Sequence, residues 1–203
     1  MDDLRTLENI RCGKASASRV RLSDETRKIL QKRYIAFDTE TTGFDPDADR
    51  IVEIGAVLFL DGMPSKEFHS NVRAERSIPE EVSRINHVSE EIRRNAPSEQ
   101  EVYQDFLAFL GDAADGKTIM CGHVAAFDMS LLCHALERIL PDKTASFKFV
   151  DTRELILPIP ELEHHTLIAA AEYFGVQYDK AHHALVDALA CGEILRQILK
   201  TSV

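Results

Sequence analysis

The chain has 203 residues, of which 44% are hydrophobic and 29% are charged, which is ordinary for a soluble globular domain of this length. Its formal net charge of −10 does not indicate a protein that binds nucleic acid through a basic surface. No apolar run approaches the roughly 20 residues of a membrane span, and the first residues lack a signal-peptide core. We therefore expect no membrane association.

The cysteines and the charge distribution narrow the class of protein further. The four cysteines lie far apart without a Cys-x-x-Cys pair, which argues against a zinc ribbon or a disulfide framework and predicts a cytoplasmic location. Residues 1–33 hold nine Lys and Arg against five Asp and Glu, a net of +4. Residues 34–203 hold fifteen against twenty-nine, a net of −14. Such an acidic body can still bind a polyanion where bound metal neutralises part of its charge.

The first part of the chain, residues 1–32, predicts a basic helical N-terminal extension to a domain that covers residues 33–203. The apolar residues with helical spacing are Leu4, Leu7 and Ile10. A second helix start is indicated by Ser23-Asp24-Glu25-Thr26. The extension is either an arm that contacts phosphate or, as is more common for charged segments, a solvated helix.

A β-branched and aromatic run begins at Tyr34 and predicts a strand. Side chains alternate along a strand, so Asp38 and Glu40 lie on the same face at its end. Two like charges this close repel each other and lose solvation as the strand packs. Either the two acids end the strand in solvent, or a divalent cation such as Mg²⁺ lies between them.

The remaining segments predict a mixed α/β domain. The other predicted strands are residues 51–60, 66–72, 117–122 and 147–150. The predicted helices are residues 78–86, 98–110, 127–140, 152–157, 166–174 and 184–199. Short connections between the first three strands favour antiparallel order. We therefore expect a five-stranded sheet, with three antiparallel strands plus two parallel ones, flanked by helices.

Two further acids fall in apolar helical surroundings. Asp128 lies in the first turn of a predicted helix beside Phe127, where the helix dipole alone would also favour an acid. Asp187 lies within residues 184–190, which contain no other polar side chain. A carboxylate in such an apolar stretch is costly unless it is paired or bound to a cation. Together with the two strand acids, they provide enough oxygen ligands for two metal ions.

Histidines supply candidates for proton transfer. His182 and His183 precede the last predicted helix, five and four residues before Asp187. His182 in the loop can approach the acids and act as a general base, although a structural role is the open alternative. The same two roles are open for His123, His164 and His165. A zinc cluster built from histidines is the rival metal site, but no His-x₃-His spacing supports it.

These residues fall in three ordered motifs, Asp38-Thr39-Glu40-Thr41-Thr42-Gly43, His123-Val124-Ala125-Ala126-Phe127-Asp128 and His182-His183-Ala184-Leu185-Val186-Asp187. The motifs resemble those of the DEDDh (DnaQ-like, ribonuclease-H-like) 3′–5′ exonucleases, and are close to the bacterial DNA polymerase III epsilon type. The resemblance covers roughly residues 33–200 and selects His182, because in the third motif His precedes Asp by five positions. There are two departures: Val124 stands where the family often has Asn, and Asn86-His87 where relatives often have His-Gly.

The resemblance implies a ribonuclease-H-like fold and a metal-dependent exonuclease that releases nucleoside monophosphates from 3′ ends. The metal ligands that it implies, for two Mg²⁺ or Mn²⁺ ions, are Asp38, Glu40, Asp128 and Asp187. It makes these four acids and His182 the catalytic residues. The candidate substrate contacts are Thr41, Thr42, Gly43, Phe44, His123 and Phe127.

The form of the first motif favours DNA over RNA as the substrate, with single-stranded or frayed ends and a role in proofreading or repair. Two alternatives remain: 3′ trimming of RNA, and a nuclease-fold binding subunit recruited by a polymerase or another protein through the basic extension. All five catalytic residue types are present, which counts against a binding module that has lost catalysis.

Overall fold

The computed structural model describes residues 8–179 and 181–201. In this part of the chain seven strands form one sheet: β1 (Asn9–Cys12), β2 (Ala15–Arg19), β3 (Arg33–Thr41), β4 (Ile51–Leu60), β5 (Met63–Asn71), β6 (Met120–Gly122) and β7 (Ala145–Asp151). Their order across the sheet is β1-β2-β7-β6-β3-β4-β5. The pairs β3–β4 and β4–β5 are antiparallel, whereas β6 is parallel to both β3 and β7. The predicted set of three antiparallel and two parallel strands is therefore confirmed.

Helices cover both faces of the sheet: α1 (Asp24–Lys32), α2 (Glu80–Asn86), α3 (Glu90–Asn95), α4 (Glu99–Leu110), α5 (Ala125–Ile139), α6 (Thr152–Ile156), α7 (Leu167–Phe174) and α8 (Ala184–Lys200). A 3₁₀ turn follows α4. The predicted capping box starts α4, where Ser98 and Glu101 satisfy each other's backbone N–H groups. Within the described ranges, no helix is both long and apolar enough to span a bilayer.

The expectations of a helical extension and of a five-stranded sheet were wrong for residues 9–19. These residues form the β1–β2 hairpin, and β2 pairs with β7 in parallel. Small residues alternate along β2, and Ala15 and Ala17 are buried against the core. Ile10, which belongs to the predicted helical spacing, is also buried there. The pairing is long-range and overrides a weak local helix signal. Leu4 and Leu7 lie outside the described residues, and within residues 8–32 the one helix is α1.

The alternation along β3 sets the two halves of the core. Tyr34 and Ala36 face α8 and pack with a cluster that includes its residues Ala188 and Leu195. The opposite face of β3 packs against α5, in a cluster that includes Phe37. The predicted alternation is therefore confirmed. Side chains farther along β3 on the face of Tyr34 and Ala36 also point toward α8.

Candidate active site

The end of β3 places two carboxylates under the first turn of α8. Asp38 and Glu40 continue the face that Tyr34 and Ala36 begin. Burial raises the pKa of Asp38 well above its ordinary value, and the nearby carboxylates of Asp128, Asp187 and Glu40 raise it further. The strand end is thus a crowded cluster of carboxyl groups that resist ionisation, and not a pair of solvated acids.

Asp128 reaches the same site from the other face of the sheet. It lies in the first turn of α5 with only 4% of its surface exposed. One carboxylate oxygen, Oδ1, accepts hydrogen bonds from the backbone N–H of Thr39 at 3.1 Å and from its hydroxyl at 2.6 Å. Burial raises the pKa of Asp128 to about 7, although these hydrogen bonds favour the charged form. The bonds fix the orientation of Asp128 relative to β3.

Asp187 lies in the first turn of α8, which begins at Ala184 as the sequence predicts. The helix approaches the sheet at Gly55 of β4, which pairs with Asp38 in the antiparallel register. A Cβ atom at Gly55 would lie 2.2 Å from the backbone of Ala184 and Leu185. The missing side chain at Gly55 therefore allows the helix start, and Asp187 with it, to come close to the strand acids.

His182 completes the cluster. Ligand atoms of Glu40, His182 and Asp187 all lie within 4.8 Å of one another. Burial raises the pKa of Glu40 to about 8, and the carboxylates of Asp187, Glu53 and Asp128 add to the shift. Burial likewise raises the pKa of Asp187. Carboxylates that resist ionisation together match a hard divalent cation, because the cation would replace the protons and supply the missing positive charge.

The backbone is strained around these residues. Positive φ angles occur at His182 (64°), Val124 (70°) and His87 (59°), where side chains other than Gly are uncommon. Val124 immediately precedes α5, and His182 lies just before α8. Such strained positions are typical of functional sites that the surrounding structure holds in place.

Both ring nitrogens of His123 contact other groups of the protein. Its Nε2–H donates to the carbonyl oxygen of His165 at 3.0 Å, and its Nδ1 lies 3.0 Å from the hydroxyl of Thr152, which itself donates to the carbonyl oxygen of Gly122 at 3.1 Å. Burial lowers the pKa of His123 to about 4, which keeps the ring neutral at pH 7. These bonds anchor the segment before α5, and a substrate contact for His123 stays a prediction.

The residues after Glu40 form the turn that ends β3. The hydroxyl of Thr41 donates to the carbonyl oxygen of Gly43 at 2.7 Å, and that of Thr42 donates to Asp49 at 2.8 Å. Thr42 is only 1% exposed. The hydroxyls of both threonines are thus engaged in holding the turn, and contact between residues 41–43 and a substrate stays a prediction.

Phe44 follows that turn and is 83% exposed, which is unusual for so large an apolar side chain. Its ring lies 5.9 Å from the half-buried ring of Phe127, which stands next to Asp128 at the start of α5. The structure therefore brings these two predicted substrate contacts together at the edge of the acidic cluster.

Three further groups near the site were not among the predicted site residues. Tyr178 donates its hydroxyl to Asp187 Oδ1 at 2.8 Å. Asn86 is buried and donates to the carbonyl oxygen of Thr41 at 3.2 Å. Glu53 pairs directly with Glu40 in the β3–β4 register. The hairpin spacing could have indicated Glu53, whereas no local pattern marks Tyr178.

With this geometry in place, comparison with known proteins identifies the family. The family model described as Exonuclease (RNase_T) matches residues 35–195. This chain belongs to the exonuclease family. The β1–β2 hairpin and α1 of this exonuclease lie outside the matched region. A boundary between an extension and a catalytic domain near residue 33 stays a prediction.

Curated relatives of this exonuclease include proteins named for DNA polymerase III. The DNA polymerase III subunit epsilon of Treponema pallidum is 34% identical over 169 residues, which cover 82% of this chain and 76% of the relative. The PolC-type DNA polymerase III of Bacillus subtilis is 28% identical over 175 residues. This exonuclease spans only 12% of the length of that second relative.

Solved structures show the same fold. The zinc ion bound form of an E. coli ExoI–ssDNA complex matches with a TM-score of 0.69 at 16% identity, over 83% of this chain and 40% of the neighbour. Exonuclease X in complex with 5′ overhanging duplex DNA matches with a TM-score of 0.63 at 24% identity, over 84% and 92%. These matches confirm the predicted ribonuclease-H-like α/β fold for the exonuclease.

Proposed function

We propose that this protein is a metal-dependent 3′–5′ exonuclease that releases nucleoside monophosphates from DNA. The observation that carries the proposal is the convergence of Asp38, Glu40, Asp128 and Asp187 with His182 at the end of β3. In a site of this composition, acids hold cations and a histidine is free to move a proton. Membership of the exonuclease family supports phosphodiester hydrolysis as the reaction.

Each residue has a distinct role in this proposal. The four carboxylates would hold two Mg²⁺ or Mn²⁺ ions, which when bound supply Lewis acidity and neutralise negative charge at phosphate. The Thr39 hydrogen bonds keep Asp128 aimed at the site. The exposed imidazole of His182 lies beside Glu40 and Asp187, where it can accept the proton of the attacking water.

The proposed substrate is a single-stranded or frayed DNA 3′ end. The aromatic pair of Phe44 and Phe127 would receive its terminal bases, because an exposed ring offers a stacking surface for any base. One structural neighbour is described as a complex with single-stranded DNA. A polymerase partner is part of the proposal as well, because one relative is named as a subunit of DNA polymerase III.

The direction and the substrate can be tested in one experiment with matched DNA and RNA oligonucleotides. A 5′-labelled DNA strand should give a ladder of progressively shorter products with Mg²⁺, whereas the 3′-labelled strand should release labelled mononucleotide at once. RNA should be degraded more slowly. Immediate release of label from the 5′ end would contradict the direction, and faster degradation of RNA would favour the RNA-trimming alternative.

A further inference from the structure

Tyr178 occupies a defined place between α7 and α8. Its ring packs in an apolar cluster with Phe174 and Val176 and with Ile194 of α8. Its hydroxyl leaves that cluster and donates to Asp187 Oδ1 at 2.8 Å. The apolar packing fixes the ring, so the position of the hydroxyl relative to Asp187 is fixed as well.

The second oxygen of Asp187 is also occupied by the segment that precedes α8. The backbone N–H of His182 donates to Oδ2 at 3.3 Å. Asp187 therefore accepts one hydrogen bond from the Tyr178 hydroxyl and one from the backbone N–H of His182, the predicted general base. The carboxylate and the segment that carries His182 hold each other in place through these two bonds.

We infer that Tyr178 is a positioning residue that sets the orientation of the Asp187 carboxylate for metal binding. This inference rests on the proposed function, in which Asp187 is a metal ligand. A carboxylate oxygen has two lone pairs, so Oδ1 can accept the tyrosine hydroxyl and still face a cation. Hydrogen-bonding partners of metal ligands fix ligand orientation, and their loss typically lowers metal affinity or activity about 10–100-fold.

The rival explanation is that Tyr178 only fills space in the apolar cluster. The two explanations separate in the Tyr178→Phe variant, which keeps the ring and removes only the hydroxyl. Tyr173→Phe is the matched control, because Tyr173 on α7 is 46% exposed and its ring packs on Phe174. A space-filling role predicts that the two variants behave alike toward metal.

The first measurement uses no catalysis. Ca²⁺ is titrated into each protein, and the rise in Tm is followed relative to that protein's own metal-free Tm. Since each variant is its own reference, a general loss of stability cannot imitate weaker binding. We expect Tyr178→Phe to need at least about tenfold more Ca²⁺ for the same rise, with Tyr173→Phe unchanged.

The second measurement follows Mg²⁺-dependent digestion of single-stranded DNA. Tyr178→Phe should raise the Mg²⁺ concentration for half-maximal rate by a similar factor, with little change in KM for DNA at saturating Mg²⁺. In an Asp187→Asn background, the tyrosine substitution should have no further effect on the Ca²⁺ titration, because Tyr178 acts through that carboxylate. An additive effect in that double variant would overturn the inference.

The inference and the proposed function fail in different ways. A wild-type protein without Mg²⁺-dependent digestion would refute the proposed function, whatever the variants do. An active wild type, together with a Tyr178→Phe protein whose Ca²⁺ and Mg²⁺ midpoints equal those of Tyr173→Phe, would refute the role of Tyr178 alone.

Discussion

Gly55→Ala should disable the site through the backbone, without touching an acidic side chain. A Cβ at Gly55 would lie 2.2 Å from Ala184 C and Leu185 N, whereas ordinary contacts begin at 3.4 Å. The start of α8 would therefore have to move by about 1.2 Å, the difference between these two distances. The obstacle is backbone and not a flexible side chain, so rotation about χ angles cannot relieve it.

A shift of that size separates Asp187 and His182 from the strand acids. Misplacement of catalytic groups by about 1 Å can cost on the order of 10²-fold in rate, and overpacking costs about 1–3 kcal/mol of stability. We expect kcat on single-stranded DNA to fall by about that factor in Gly55→Ala. The Mg²⁺ midpoint should rise as well, because Asp187 moves.

Gly192→Ala is the control for a general effect on α8. Its Cβ would meet the ring of Phe59 at 2.2 Å, in the middle of the helix and away from its first turn. This variant should lose stability like Gly55→Ala but keep more of its activity and its Mg²⁺ midpoint. Wild-type kcat and metal midpoint in a folded Gly55→Ala protein would refute the argument that close approach at Gly55 builds the site.

Four further outcomes follow from the buried acids and the strained backbone. Asp38→Asn should raise the metal-free Tm and abolish activity, because it removes a carboxyl group whose ionisation burial and neighbouring carboxylates disfavour. A carboxyl group whose pKa is raised in the folded state stabilises the fold fully below the unfolded pKa near 4, and this stabilisation is lost as pH rises through the folded pKa. The metal-free Tm should therefore fall as pH rises to about 8, the pKa of Glu40. The Mg²⁺ concentration for half-maximal rate should also fall as pH rises over this range, because protons on Glu40 and Asp128 compete with the cation. Val124→Asn should raise Tm by the equivalent of up to about 1 kcal/mol, because Asn tolerates the φ of 70° better than a β-branched residue; an unchanged or lower Tm would show that Val124 is not strained.

Much of the site follows from short-range rules in the sequence. Alternation along β3 placed Asp38 and Glu40 on one face, and the structure confirms the face and its neighbour α8. Asp187 stood out because it lies in an apolar stretch, where a carboxylate is costly unless it is paired or bound to a cation. Each of these inferences needs only the residue pattern within one strand or helix, which can be read from the sequence alone.

The features that were missed depend on contacts between distant segments. The β1–β2 hairpin consists of short strands of small and polar residues, and it is stabilised by pairing with β7, about 130 positions away by the Ala15–Ala145 register. The hydroxyl of Tyr178 reaches Asp187 because its ring is packed against α8. Gly55 reads as an ordinary strand residue until α8 is placed against it. No local periodicity encodes such contacts.

Under the proposed function, the acids at the end of β3 make this protein a metal-dependent nuclease. The most direct test of this claim is single-turnover digestion of 3′-labelled single-stranded DNA with Mg²⁺, comparing wild type, Asp38→Asn and Asp115→Asn, an exposed aspartate outside the site. Wild type and Asp115→Asn should release label at the same rate and should stop when the metal is chelated, whereas folded Asp38→Asn should release none above background. Equal rates in all three proteins, or release that continues after chelation, would contradict the claim.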